Sequence, residues 1–172
     1  MSTHDGRQQL GGSCRDLGRR ISYRHDLQPG HCRSHRHFRD RTQKRAADRG
    51  WFDGRHPIVV VEENGEVVAF ASTSSYRSRP CYAGIAEFSV YVARHRRGAG
   101  AGQVAMAALL EAAEAAGYWK LLSRIFPENT ASRALTAKMG FREVGIYRRH
   151  GKLDGAWRDC VIVERLLGEA AE

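Results

Sequence analysis

The chain has 172 residues and a formal net charge of +9, a length that suits one domain with a sizeable core and not two comfortable ones. It holds no run of about 18 apolar residues, which excludes a membrane-spanning helix, and the opening MSTHDGRQQL has no apolar leader core, so a cytoplasmic location is expected. Its four cysteines, Cys14, Cys32, Cys81 and Cys160, are widely spaced without a C-x-x-C pair, a pattern of free thiols rather than of a disulfide framework or a metal site.

The charge is unevenly spread. Residues 1–50 hold 12 Lys/Arg against 5 Asp, whereas residues 51–172 hold 16 Lys/Arg against 14 Asp/Glu. The nucleic-acid partner that a basic chain usually implies is therefore not expected for the larger part. Residues 1–50 contain neither Val nor Glu, carry five of the eight His, and show no sustained helical or strand period. The run His31-Cys32-Arg33-Ser34-His35-Arg36-His37-Phe38-Arg39 admits metal binding, RNA binding or a disordered basic arm. The first two lack the regular spacing they need. The chain divides into an atypical basic segment, 1–50, and a folded domain, 51–172.

From Trp51 the pattern becomes regular. Ile58 to Glu63 is β-branched and ends at Asn64-Gly65, a two-residue hairpin turn, with Glu66 to Tyr76 as the returning strand. Arg77 to Cys81 is a polar loop, and Ala83 to Val92 a third strand. A basic, glycine-rich turn over Arg94–Gly102 opens an Ala-rich helix from about Gly102 to Ala116, stopped by Gly117. Trp119 to Phe126 reads as a strand and Asn129 to Lys138 as a helix capped by Gly140. Phe141 to Tyr147 and Trp157 to Leu167 close the chain as strands around a turn at Lys152–Gly155. The order β-β-β-α-β-α-β-β predicts a mixed α/β layer fold and not a Rossmann repeat.

The stretch from Val90 to Gln103 runs from a strand through Arg97-Gly98-Ala99-Gly100-Ala101-Gly102 into a helix. Glycines let a backbone approach closely, and the unpaired N–H groups of a helix N-terminus attract anions, helped by neighbouring arginines. A flexible turn explains the glycines equally well. A Walker A loop would need G-K-S/T, but Gln103 and Val104 follow Gly102. A dinucleotide fingerprint belongs inside a βαβ unit, and here three antiparallel-looking strands precede the turn.

The R-x-x-G-x-G at Arg97, Gly100 and Gly102 resembles that of the GNAT superfamily of N-acetyltransferases, with similarity over residues 51–167. Ala86-Glu87-Phe88-Ser89-Val90-Tyr91-Val92, Asn129-Thr130-Ala131-Ser132 before Met139-Gly140-Phe141, and Gly151-Lys152 with Gly155, Trp157 and Asp159 resemble the phosphinothricin N-acetyltransferase type. The resemblance implies a GNAT-like, mostly antiparallel sheet flanked by helices. It also implies acetyl-CoA as co-substrate, a small amino-acid-like amine as acceptor, and a homodimer.

Residue by residue, it implies Glu87 as general base and backbone groups of Val90, Tyr91 and Val92 along the acetyl-pantetheine arm. Arg97, Gly98, Ala99, Gly100, Ala101, Gly102 and Gln103 would hold the phosphates, and Asn129 would touch the same arm. Arg77, Ser78 and Arg79, with Glu87, Phe88 and Ser89, would line the acceptor site, the guanidinium forks suiting a carboxylate or phosphinate. Competing readings are acetylation of another amine, such as a protein N-terminus or polyamine, and a non-catalytic acyl-CoA-binding protein.

Three departures stand out. Phe88 replaces the family's usual His, and Thr136 stands where the superfamily often has a Tyr as acid. The N-terminal strand and helices of the family are not recognisable in residues 1–50. A reading frame displaced by one base would account for the third: back-translated that way, Asp26 to Gln43 can encode T-Y-N-Q-G-I-A-D-R-I-A-T-F-E-T-E-P-R, which resembles the family's N-terminal region. Such a displacement would leave a cofactor core with a damaged acceptor site.

Overall fold

The computed structural model describes residues 19–23 and 55–172. Two hairpins bracket the domain. Strands β2 (Ile58–Glu63) and β3 (Glu66–Ser75) turn at Asn64 (φ 52°) and Gly65 (φ 78°), the pair of positive φ values that a type I′ turn requires. Strands β6 (Arg142–Leu153) and β7 (Ala156–Leu166) turn in the same way at Asp154 (φ 49°) and Gly155 (φ 78°). Between them lie β4 (Ile85–Val92), helix α1 (Ala101–Ala115), β5 (Lys120–Ile125) and helix α2 (Thr130–Lys138).

With β1 (Arg19–Tyr23) at one edge, the strands form one sheet in the order β1-β2-β3-β4-β5-β7-β6, antiparallel throughout except where β4 meets β5. This is the mixed, mostly antiparallel α/β architecture expected above. Helix α1 carries the chain from β4 to β5 and packs on the inner face. Its Ala105, Met106, Leu109 and Ala113 are buried against a cluster including Val59, Val61, Ala71, Phe88, Leu121, Val161 and Val163. Small alanines let the helix sit close to the sheet, and burial of the larger side chains drives the packing.

Two features differ from the sequence expectation. Residues 1–50 were expected to lack a recognisable strand, yet β1 (Arg19–Tyr23) pairs antiparallel with β2, Arg19 opposite Glu63 and Tyr23 opposite Val59. Five residues are too few to show a period, and tertiary pairing decides such a segment. Residues 26–43, for which a displaced reading frame is expected, the His-rich run, Cys14 and Cys32 lie outside the described residues. The sixth strand, expected to end at Tyr147, continues to Leu153 across a bulge in which Arg149 takes φ 51°. The Arg149 N–H donates to Asp159 Oδ1 at 2.7 Å, which satisfies a backbone donor that the bulge removes from the ladder.

The second hairpin is tied to the body by charge. Glu164 accepts from Lys120 at 2.8 Å and also meets Arg142, and Arg133 grips Glu143 at 2.7 and 3.1 Å. The Lys120 bond holds the Glu164 carboxyl below its ordinary range, outweighing the opposing effect of burial.

The start of β5 is fixed by an aromatic lid. Trp119 donates its backbone N–H to the Gly84 carbonyl at 2.8 Å, and its ring lies directly on Gly84: a Cβ there would sit 2.0–2.5 Å from ring carbons. Gly84→Ala is therefore expected to cost about 1–3 kcal/mol by overpacking, read as a fall in Tm of about 3–10 °C. In a Trp119→Ala background the same change should cost less than about 0.5 kcal/mol, because the three atoms nearest the new Cβ all belong to that ring. A full cost in both backgrounds would rule out this packing account.

Candidate active site

Strand β4 is shared between two neighbours, but not equally. With β3 it is paired from Ser75↔Ala86 to Ala69↔Val92, while with β5 it is paired only at Ile85↔Lys120, Ala86↔Leu121 and Glu87↔Leu122. Past Glu87, β4 stays with β3, and β5 follows β7 to Ile125↔Val161. The two strands part, and a wedge-shaped gap opens between them.

The hydrogen bonding sets which groups face that gap. Ala93 donates its N–H to the Val68 carbonyl at 2.8 Å. Because successive residues of a strand alternate, the backbone groups of Glu87, Ser89 and Tyr91 face β3, and those of Phe88, Val90 and Val92 face the gap. Their N–H groups make a row of donors on one wall, and the strand from Glu87 to Val92 spans about 17 Å.

The wide end of the gap meets the N-terminus of α1. Gly98 (φ 78°) and Gly100 (φ 81°) are left-handed, and Gly100 caps the helix without a side-chain bond. Gln103 and Val104 return their N–H groups to the Gly100 carbonyl at 3.0 and 3.2 Å; helix geometry leaves those of Ala101 and Gly102 without intrahelical acceptors. A Cβ on Gly102 would lie 3.1 Å from a Val92 methyl and 3.2 Å from a Leu135 methyl, so a bare glycine lets α1 begin against β4 and α2. The preceding turn is pinned by Arg96 on the buried Glu63 and by His95, 3.7 Å from Glu66. Arg97 and Ala99 are exposed. Donors, dipole and glycine-lined approach fit a phosphate.

Asn129 caps α2, its Oδ1 accepting from the Ser132 N–H at 3.1 Å. That leaves its amide hydrogens to donate elsewhere. Thr136 is buried, and its hydroxyl is committed to the Ser132 and Arg133 carbonyls at 3.1 and 3.0 Å.

At the narrow end stands Glu87. Its carboxylate meets the guanidinium of Arg124 from β5. Glu87, Ser89 and Tyr91 share the outer face, Tyr91 stacking on Phe70 at 4.8 Å. Phe88 points the other way, buried against Phe141 with ring centroids 4.8 Å apart, so it does not share a face with Glu87 and Ser89. Arg77, Ser78 and Arg79 are exposed in the loop after β3, which leaves the sheet beside Ser75↔Ala86, one position from Glu87. Arg77 lies 5.5 Å over the Tyr76 ring. Burial pushes the Cys160 thiol up, against the opposing charge of Arg124.

Sequence reasoning missed Arg124. The alternation of buried Leu121 and Ile125 in LLSRI could place it on the outer face, but nothing local names Glu87 as its partner. Among the described residues no cluster of His, Cys, Asp and Glu could hold a metal ion, and no helix is long and apolar enough to cross a membrane.

The model of the acetyltransferase (GNAT) family matches residues 22–141. The chain is 38% identical over 117 residues to the phosphinothricin N-acetyltransferase of Streptomyces coelicolor, covering 67% of this chain and 68% of that one. It is 34% identical over 119 residues to the L-methionine sulfoximine/L-methionine sulfone acetyltransferase of Pseudomonas aeruginosa, covering 66% and 69%. The Salmonella typhimurium protein yncA, solved with its cofactor acetyl-CoA, superposes with a TM-score of 0.68 at 30% identity, covering 74% of this chain and 75% of that one. The chain belongs to the GNAT family of acetyltransferases.

Proposed function

We propose that the protein transfers the acetyl group of acetyl-CoA to the amino group of a small amino-acid-like acceptor such as phosphinothricin or methionine sulfoximine. The observation that carries this reading is the gap between β4 and β5. It leads from a phosphate-ready helix terminus, past the Val90 and Val92 N–H groups, to a carboxylate at its narrow end. Acetyl-CoA is a co-substrate here. Its phosphates would lie at Gly98–Gln103 and its pantetheine amides along β4, bringing the thioester towards Glu87.

The chemistry follows from that placement. The ammonium of the acceptor gives one proton to Glu87, directly or through water, and the freed nitrogen attacks the thioester carbonyl. A β4 N–H stabilises the developing oxyanion. The C–S bond then breaks. The second nitrogen proton ends on the departing thiolate, so the balance is one acetamide, one thiol and one proton released. Thr136, its hydroxyl already donated, plays no part in that last transfer.

The acceptor class rests on the relatives named above and on the exposed Arg77 and Arg79 in the loop that leaves the sheet near Glu87. The exposed Ile146, Tyr147 and Trp157 of the β6–β7 hairpin offer an apolar surface for a homodimer.

The test is thiol release from acetyl-CoA across a set of amines. A matched chain carries the out-of-frame string in place of residues 26–43. Release that depends on phosphinothricin or methionine sulfoximine supports the proposal. Coenzyme A binding without turnover of any amine in either chain would replace it with an acyl-CoA-binding role.

A further inference from the structure

Arg124 belongs to none of the motifs that mark the cofactor site, yet it touches Glu87, the carboxylate proposed above to take a proton. It sits two positions past the last β4–β5 rung, Glu87↔Leu122, and on the outer face with Glu87. Its guanidinium therefore reaches back across the narrow end of the gap. The pair is reachable from outside, with 40% of the Arg124 side chain and 26% of the Glu87 side chain exposed.

Glu128 and Asp159, which with Arg124 act on the Cys160 thiol, are engaged elsewhere. Glu128 accepts from Arg158 at 2.7 Å, and Asp159 accepts from the Arg149 N–H at 2.7 Å. On β7, Arg124 faces Ile162, with Cys160 as its near neighbour. Glu87 is accordingly the anion the guanidinium holds in this state.

That pairing poses a problem for a base. An amine with no other charge must draw Glu87 from Arg124 and offers the guanidinium nothing in return. An α-amino acid carries the remedy on one carbon: its ammonium takes Glu87 while its carboxylate takes Arg124. One ion pair becomes two, and the guanidinium fork accepts the new carboxylate as readily as the old.

We propose that Arg124 is a specificity residue that reads the α-carboxylate of the acceptor and yields Glu87 to the α-ammonium in exchange. The proposal rests on the acetyl-transfer reading and narrows its acceptor to free α-amino acids, with Arg77 and Arg79 left to meet the far end of the side chain. Simple amines, polyamines and peptide N-termini lack the adjacent carboxylate and are disfavoured by the same exchange.

The experiment compares L-methionine sulfoximine with its α-carboxamide, in wild type, Arg124→Met and Arg124→Lys. Wild type should prefer the acid by about 100-fold in kcat/KM. In Arg124→Met that preference should collapse, the acid losing about 10–100-fold, chiefly in KM, and the amide gaining, because Glu87 is no longer held by a guanidinium. Arg124→Lys should recover part of the loss. Calorimetry of methionine sulfoximine on protein saturated with coenzyme A should show a Kd raised by about 10–100-fold in Arg124→Met, with the coenzyme A Kd unmoved. Equal losses for acid and amide, or an unchanged Kd, overturn the Arg124 role and leave acetyl transfer standing. A binding difference without turnover in wild type does the reverse. Neither binding nor turnover in wild type overturns both.

Discussion

Glu87→Gln is expected to lower kcat for amine acetylation by about 10²–10⁴-fold, the usual contribution of a positioned general base. Gln keeps the shape of Glu and cannot take a proton. The substitution also removes the charge facing Arg124, but both groups are partly exposed, and such pairs contribute little to stability. Tm should therefore barely move. Coenzyme A affinity should hold as well, because the Glu87 side chain projects from the outer face while the gap is lined by backbone groups of Phe88, Val90 and Val92. A rate loss with binding and stability intact assigns Glu87 to the chemical step; undiminished turnover removes it.

A second large effect should come from charge at Gly98. This residue is left-handed (φ 78°), and a Cβ there would meet nothing within 4 Å, so strain and not space limits what it accepts. Asn and Asp tolerate that conformation better than other side chains and differ by one charge. Gly98→Asp should weaken coenzyme A binding by about 10–1,000-fold relative to Gly98→Asn. An anion would then stand where the helix dipole and the free N–H groups of α1 attract phosphate. The difference should shrink with added salt. Equal Kd values for the two variants would place the phosphates elsewhere.

Much of this was legible in the chain because local signals and tertiary structure agree from Ile58 onward. Asn64-Gly65 can form only a tight hairpin between two β-branched runs, and three glycines before an alanine-rich stretch can open a helix closely against a strand. Other features had no local trace. The Glu87–Arg124 pair joins residues 37 positions apart and exists only because α1 brings β5 parallel to β4. The inward turn of Phe88 is a matter of strand parity, fixed by one bond from Ala93 to Val68. The bulge at Arg149 depends on a side chain in the next strand. The role that resemblance suggests for an acid at position 136 meets a threonine whose hydroxyl serves its own helix.

The three rungs between β4 and β5 have a mechanical consequence. The sheet is two antiparallel ribbons sharing a short seam, yet Phe88, Leu121 and Val161 from both ribbons lie in one core under α1. The ribbons can thus stand apart in the plane of the sheet while one core still joins them underneath. A guest lying along β4 finds its donors already aimed, so association spends little on ordering the host. The fold stores in its seam the preorganisation that most binding sites must build from loops.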